Sequence, residues 1–274
     1  MGLFILLGVA GFLFLRMAGS GSVAVMGTIK QRGLLRVGVQ EEIAPYGGLD
    51  TNGRRYGFEI DLAQAIGQQL LGSDAVDFVG LQRKTAKAYL DDGQIDCLIA
   101  MVPINKVNAA KYAFAGPYAV DPVQFLVQKG YAFHMGTPDI RIGVITGANI
   151  VSDTAGSPHA MLLDYCRRQG FTAEEIERRV LEMPSYQEAM EALSRGDIQA
   201  FCGEQSLLHT LNGNNTELAG PAIGEMRYGI ACRKLNSDLA KALQSALMEL
   251  EQQGVLAALL QTHGLNLPGM EQLP

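Results

Sequence analysis

One order of elements constrains this chain more than any other feature: strand, loop, helix, strand, helix, strand, written twice. In the first copy, Leu34 to Val39 reads as a strand, and a loop carrying Pro45-Tyr46-Gly47-Gly48 follows it. Asp50-Thr51-Asn52-Gly53 signals a turn. Phe58 to Leu71 then places Ile60, Leu62, Ala63, Ile66 and Leu70 at helical spacing, with Gly72 where a helix C-cap belongs. Ala75 to Val79 is a strand, Thr85 to Leu90 a short helix, and Ile95 to Ala100 a strand that is apolar apart from Asp96. The second copy runs from Ile140–Ile145 through helices at Pro158–Gln169 and Tyr186–Arg195, with a short strand at Val180–Met183, to a strand at Ile198–Cys202. Arg227 to Cys232 adds a strand, and Leu235–Leu250 and Gly254–Gln261 add helices, the first with Asn236-Ser237 as its cap. Apolar strands alternating with helices imply a mainly parallel sheet covered on both faces. Two such units imply two lobes with a cleft between them. Ligands of such sheets bind beyond the carboxyl ends of the strands. The loops Gln40–Tyr46, Ala100–Asn105, Thr146–Asn149 and Gly203–Gln205 therefore become candidates together.

Composition narrows the function. A hydrophobic fraction of 48% in 274 residues supplies a core, which excludes disorder. With 22 Lys+Arg against 28 Asp+Glu the net charge is −6, which argues against a nucleic-acid partner. Cys97, Cys202 and Cys232 lie in apolar strand-like runs and Cys166 in a helical pattern, so buried thiols are one reading; one disulfide, of undetermined pairing, is the other. Neither the cysteines nor the four histidines show zinc-ligand spacing, and no metal or cofactor is expected. Gly33 to Gly38 precedes and enters a strand, where a dinucleotide fingerprint would follow one.

The front of the chain does not belong to this pattern. Leu3 to Leu15 is an unbroken apolar run of 13 residues. That is short for a membrane span, which takes about 20, and suits the core of an export signal. Ser22-Val23-Ala24 offers small residues for cleavage, but no Lys or Arg precedes the run and Arg16 follows it. Residues 1–25 are read as a signal peptide or a membrane anchor, with a misassigned start as the third alternative. Either of the first two places the domain in the periplasm or on the extracytoplasmic face of the membrane.

The ordered motifs then define a resemblance. Gly33-Leu34-Leu35-Arg36-Val37-Gly38-Val39, Ala44-Pro45-Tyr46, Gly57-Phe58-Glu59-Ile60-Asp61-Leu62-Ala63, Asp92-Gly93-Gln94-Ile95-Asp96, Phe114-Ala115-Gly116-Pro117-Tyr118, Gly143-Val144-Ile145-Thr146-Gly147 and Tyr228-Gly229-Ile230-Ala231-Cys232 occur in that order. Over roughly 28–268 the chain resembles the family 3 extracytoplasmic solute-binding proteins, which deliver polar amino acids to ABC importers. The resemblance implies a two-lobed periplasmic-binding-protein-like α/β fold of type II, each lobe a mixed, mainly parallel sheet flanked by helices. It implies a first lobe of 28–119 plus 224–274, a second of 120–223, and a hinge near 119–122 and 220–224. It also implies closure over a ligand by hinge motion.

The ligand positions that the resemblance carries over are divergent. Where the family grips an α-carboxylate with a bidentate arginine, this chain has Asn108. The hydroxyl-bearing helpers fall at Ala100, Met101 and Pro103, and the threonines of the second-lobe loop at Ala148 and Asn149. Glu204 matches the carboxylate that receives an α-ammonium; Ile43 matches the aromatic lid, and Gln40 an acidic residue. Tyr46 is a candidate contact, as Arg83 is, although Tyr46 and Phe58 also read as packing residues. Arg83 either replaces the missing arginine or joins Lys84 and Lys87 on a solvated helix edge. The expected function is capture of a small polar solute, amino-acid-like or amine-containing, for an ABC importer permease. The alternatives are an accessory or sensor-like subunit of a membrane complex that has lost amino-acid binding, and a dehydratase-like enzyme on the same fold. The first two are not enzymes.

Overall fold

A computed structural model describes residues 25–146 and 156–265, without the side chains of Arg83 and Lys84. The expected signal or anchor at 1–25 therefore lies almost wholly outside the described residues. Chain order gives α1 (Val25–Arg32), β1 (Leu35–Val39), β2 (Glu42–Ile43), β3 (Gly47–Leu49), β4 (Arg55–Tyr56), α2 (Phe58–Leu71), β5 (Val76–Gly80), α3 (Arg83–Asp91), β6 (Cys97–Pro103), α4 (Lys106–Lys111) and β7 (Tyr112–Gln128). It continues with β8 (Ile142–Ile145), α5 (Pro158–Arg168), α6 (Ala173–Arg179), β9 (Val180–Met183), α7 (Tyr186–Arg195), β10 (Ala200–Glu204), α8 (Gln205–Leu211), β11 (Thr216–Arg233), α9 (Ser237–Gln252) and α10 (Val255–Thr262). Among the described residues no helix is long and apolar enough to cross a membrane.

The two sequence copies build the two halves of one eight-stranded sheet, ordered β5-β1-β6-β11-β7-β10-β8-β9. In each half the first strand of the copy lies in the middle, with β1 parallel to β5 and β6, and β8 parallel to β9 and β10. The carboxyl ends of these three strands thus point the same way within each half. The long antiparallel strands β7 and β11 run through both halves and pair with each other, with the register shifting between Ala219 and Gly224. Tyr112–Val120 and Arg227–Arg233 pair beside β6, while Val123–Gln128 lies beside β10.

Local chemistry explains the elements. Helix α2 buries Phe58, Ile60, Leu62, Ala63 and Ile66, each large apolar side chain contributing about 1.5–3 kcal/mol. Gly57 has φ 122°, and a Cβ there would lie 2.4 Å from the Tyr46 carbonyl oxygen, so only glycine lets the loop and the helix start meet. Gly72 closes the helix in the left-handed conformation, φ 70°, its N–H donating to Gln68. Strand β6 is buried along its whole length.

Several elements differ from the sequence reading. The loop after β1 contains β2, which joins β3 and β4 in a small antiparallel sheet. Its strands of two or three residues are too short to show an alternation. Strand β11 begins at Thr216, well before Arg227, and β7 is a full strand. Pro117, Pro122 and Pro221 interrupt both in the sequence, yet register shifts and neighbouring strands accommodate them. Helices α4, α6 and α8 are additional. Asn236 precedes α9 without a side-chain cap bond. All four cysteines are free and buried.

Asp96, 5% exposed, fastens α1 to β1 and β6. It accepts from the Arg36 backbone N–H at 2.8 Å and from the guanidinium groups of Arg32 and Arg36 at 2.5 and 2.9 Å. Asp96→Ala strips both half-buried arginines of their acceptor. It is expected to lower unfolding free energy by about 2–3 kcal/mol in chemical denaturation; a loss under ~0.5 kcal/mol contradicts the role.

Candidate functional site

The carboxyl ends of β6 and β10 face a cluster built on three buried carboxylates. Asp121, fully buried on β7, receives the Tyr46 hydroxyl at 2.9 Å and the Ser206 N–H at 3.1 Å, and the Ser206 hydroxyl donates to it as well. Glu204 ends β10, 3% exposed, and accepts the Tyr228 hydroxyl at 3.2 Å. The Tyr46 and Tyr228 rings meet edge to face with centroids 5.6 Å apart. Tyr228 stands opposite Pro103 in the β6–β11 ladder, so both project from the same face. Glu59, 1% exposed at the start of α2, accepts from the Met101 N–H at 2.6 Å and from the Tyr118 hydroxyl.

Strand β6 ends in an unusual conformation. Met101 has φ 48°, a left-handed value that costs a residue with a Cβ of order 1 kcal/mol or more. Its N–H is thereby turned to Glu59 and to Tyr118 Oη, 3.2 Å away. Two residues on, the Pro103 carbonyl accepts from Asn108 Nδ2 at 2.9 Å. A carbonyl can only accept, so the Asn108 amide orientation is fixed. Its Oδ1 is buried without a hydrogen-bond partner among the described residues, as is Glu59 Oε2.

The sequence-predicted residues separate into three groups. Gln40, Ala100, Met101, Pro103 and Asn108 gather at the end of β6, with Gln40 Nε2 donating to the Ala100 carbonyl at 3.3 Å. Tyr46 and Glu204 belong to the Asp121 cluster. Ile43 lies half-buried in β2, packed against the core. Ala148 and Asn149 lie outside the described residues, and so does the side chain of Arg83, whose backbone opens α3. Lys87 on the same helix is exposed and paired with Asp91, as a solvated edge requires. Sequence reasoning missed Asp121, Ser206, Tyr228, Glu59 and Tyr118 as site residues. The available signal for Asp121 was a single carboxylate inside the apolar stretch Tyr118–Val127.

Burial dominates the electrostatics. It raises Glu204 to about 7, assisted by the charge of Asp121 and opposed by a backbone N–H and Tyr228. It raises Glu59 to about 7 against the hydrogen bonds from Tyr118 and Met101. It raises Asp121 to about 6 against those from Ser206, Tyr46 and Gln205. Among the described residues none of the three has an ion-pair partner, and no group of His, Cys, Asp and Glu could hold a metal.

The arrangement is that of a binding protein. The chain belongs to the bacterial extracellular solute-binding proteins, family 3, whose model matches residues 35–266. The L-cystine-binding protein TcyJ of Escherichia coli K12 is 29% identical over 238 residues, covering 86% of this chain and 84% of that protein. The ABC transporter glutamine-binding protein GlnH of Bacillus subtilis is 25% identical over 233 residues, 84% of this chain and 80% of its own. Among solved structures, an ancestral cationic amino acid solute-binding protein, AncCDT-1, superposes with a TM-score of 0.69 at 21% identity, covering 87% of this chain and 99% of its own. The L-cysteine solute receptor of Neisseria gonorrhoeae gives 0.65 at 22%, covering 91% and 97%. These likenesses establish the two-lobed α/β fold.

Each of the three carboxyl groups holds its proton more tightly folded than unfolded, so between about pH 4 and 7 the folded state binds more protons. Their contribution to stability is therefore present at low pH and lost as pH rises through about 6 to 7. Urea midpoints of the wild type are expected to fall between pH 5 and 8. Glu59→Gln, which keeps an acceptor for Met101 and Tyr118, is expected to flatten that slope; an unchanged slope contradicts the assignment.

Proposed function

We propose that this chain captures a small polar solute bearing a protonated amine, in the cleft between its lobes, for an ABC importer outside the cytoplasm. The observation that carries the reading is Glu204: a buried carboxylate at the carboxyl end of β10, on a cluster joining both halves of the sheet, without a cation among the described residues. An ammonium group is the natural counter-ion for such an acceptor, and it would draw Glu204 into its ionised form. The solutes named for TcyJ, GlnH and the cysteine receptor all carry an ammonium, which supports the reading.

In this proposal Gln40, Tyr46, Ala100, Met101, Pro103 and Asn108 line the first-lobe wall, with Ile43, Arg83, Ala148 and Asn149 completing the contact set. The lobes are 28–119 plus 224–274 and 120–223. They turn about 119–122 and 220–224, where the β7–β11 register shifts. Asn108 offers no bidentate donor, since its Nδ2 is committed to Pro103. The ligand's carboxylate, if it has one, is therefore held by other groups than in an arginine-clamped site. That same observation favours, as a second reading, an accessory subunit that binds no amino acid.

Calorimetric titration with the twenty amino acids, cystine and simple diamines distinguishes these readings. At least one amine ligand is expected to bind the wild type. Glu204→Gln is expected to weaken that ligand about 30-fold or more, the cost of truncating a desolvated charge pair. Equal affinity of the variant overturns the assignment of Glu204, and no binding across the panel overturns solute capture in favour of the accessory reading. Asn108→Arg is expected to add affinity for an α-carboxylate if the rest of that wall is intact, read as tighter binding of amino acids than of the matching amines.

A further inference from the structure

The second lobe has a cavity of about 520 Å³ at the end of the sheet away from the cleft. It is lined by Arg141, Arg178, Arg179, Tyr131, Thr137 and Asp139 among others. Arg141 immediately precedes β8, Arg178 and Arg179 immediately precede β9, and Gln199 in the same wall immediately precedes β10. The cavity therefore sits at the amino ends of three parallel strands. Glu204, at the far end of β10, lies about 15 Å along the strand.

The charge of this cavity is the reverse of the chain's. Its wall draws on three arginines and one acidic residue, Asp139, in a protein of net charge −6. Seven other arginines, Arg32, Arg36, Arg54, Arg55, Arg168, Arg195 and Arg227, are ion-paired. Among the described residues Arg141, Arg178 and Arg179 have no carboxylate at ion-pair distance. Glu175 feels the charges of Arg178 and Arg179, but its carboxylate is committed to the Thr172 cap of α6.

Two of the three forks are fixed by neutral partners. Arg179 Nη1 donates to the Thr137 carbonyl at 3.0 Å, and its guanidinium lies 4.6 Å over the Phe171 ring. Arg141 Nη2 donates to the Gly196 carbonyl at 3.3 Å, and its backbone N–H to Gln199 Oε1 at 2.9 Å. Each fork retains further N–H groups. The hydroxyls of Tyr131 and Thr137 add donors to the same wall. Two arginines at the last turn of α6 also complement the helix dipole, but that does not account for Arg141 or for the presence of all three in one wall. A concave surface with an excess of one sign concentrates counter-ions, and the planar fork of a guanidinium suits oxyanions.

We propose that this cavity is a second binding site, separate from the cleft, for a small oxyanion of charge −2 or greater, of the di- or tricarboxylate or phosphate class. The site is independent of the reading of the cleft. Its test is titration of the full chain with citrate, and separately with inorganic phosphate, by calorimetry and by amide NMR at low ionic strength. Sodium chloride matched for ionic strength is the control. Saturable binding is expected for at least one probe, with shifts concentrated at 131–141, 178–179 and 199. Arg178→Ala removes an exposed side chain without an ion pair, so the fold is retained, and the affinity is expected to fall at least tenfold. Arg141→Gln is expected to act likewise. Glu204→Gln is expected to leave oxyanion binding unchanged, whatever it does to an amine ligand. Shifts that chloride reproduces, absence of saturation up to 10 mM (on the order of 3 kcal/mol of binding free energy), or equal affinity of Arg178→Ala overturns the proposal.

Discussion

The structure turns on one carboxylate. Asp121 stands on β7, the strand that runs from the first half of the sheet into the second. It takes a hydrogen bond from Tyr46, in the loop after β1, and two from Ser206, at the start of α8. A buried acceptor must be satisfied by groups that reach it. Here they come from opposite halves of the molecule, so satisfying Asp121 sets where the loop and the helix stand relative to each other. Gly57 allows the arrangement, since any side chain there would push the Tyr46 carbonyl away. Glu204 follows from the same geometry: it lies two residues before Ser206, and its position at the end of β10 is fixed by pairing with Val123, two residues past Asp121.

That arrangement gives the cleft its chemical bias. Asp121, Glu204 and Glu59 are all buried, and each is held by hydroxyl and backbone N–H donors with no cation at ion-pair distance among the described residues. Such an environment raises every one of their proton affinities. It stores an electrostatic preference that a protonated nitrogen can discharge. Near the end of β6, Asn108 Oδ1 and Glu59 Oε2 are buried acceptors that have no donor among the described residues. On the reading proposed above, such acceptors favour a ligand that brings N–H groups.

The fold was legible in the sequence because its determinants are periodic. Ile60, Leu62, Ala63 and Ile66 announce α2, and Val180–Met183 and Tyr186–Arg195 lie where their apolar patterns place them. The site was only half legible. Glu204, Tyr46 and Asn108 were expected from the resemblance alone, and the structure shows only that each is buried and hydrogen-bonded. Asp121 and Tyr228 were not expected, because their roles arise from β7 and β11, strands whose prolines and register shifts erase any alternation. Ser206 takes its meaning from Asp121 alone. Met101 looks like an ordinary core residue in sequence, and only its positive φ shows that β6 ends by turning an N–H toward Glu59.

The two ends of the second lobe carry opposite signs, and the parallel sheet is the reason. A parallel arrangement collects all carboxyl ends on one side and all amino ends on the other. A chain that places its acid at the end of β10 and its arginines just before β8 and β9 therefore separates them by the length of a strand. At about 15 Å the direct attraction falls to about 1 kcal/mol at an effective dielectric constant of about 20. The arginines then do not neutralise Glu204.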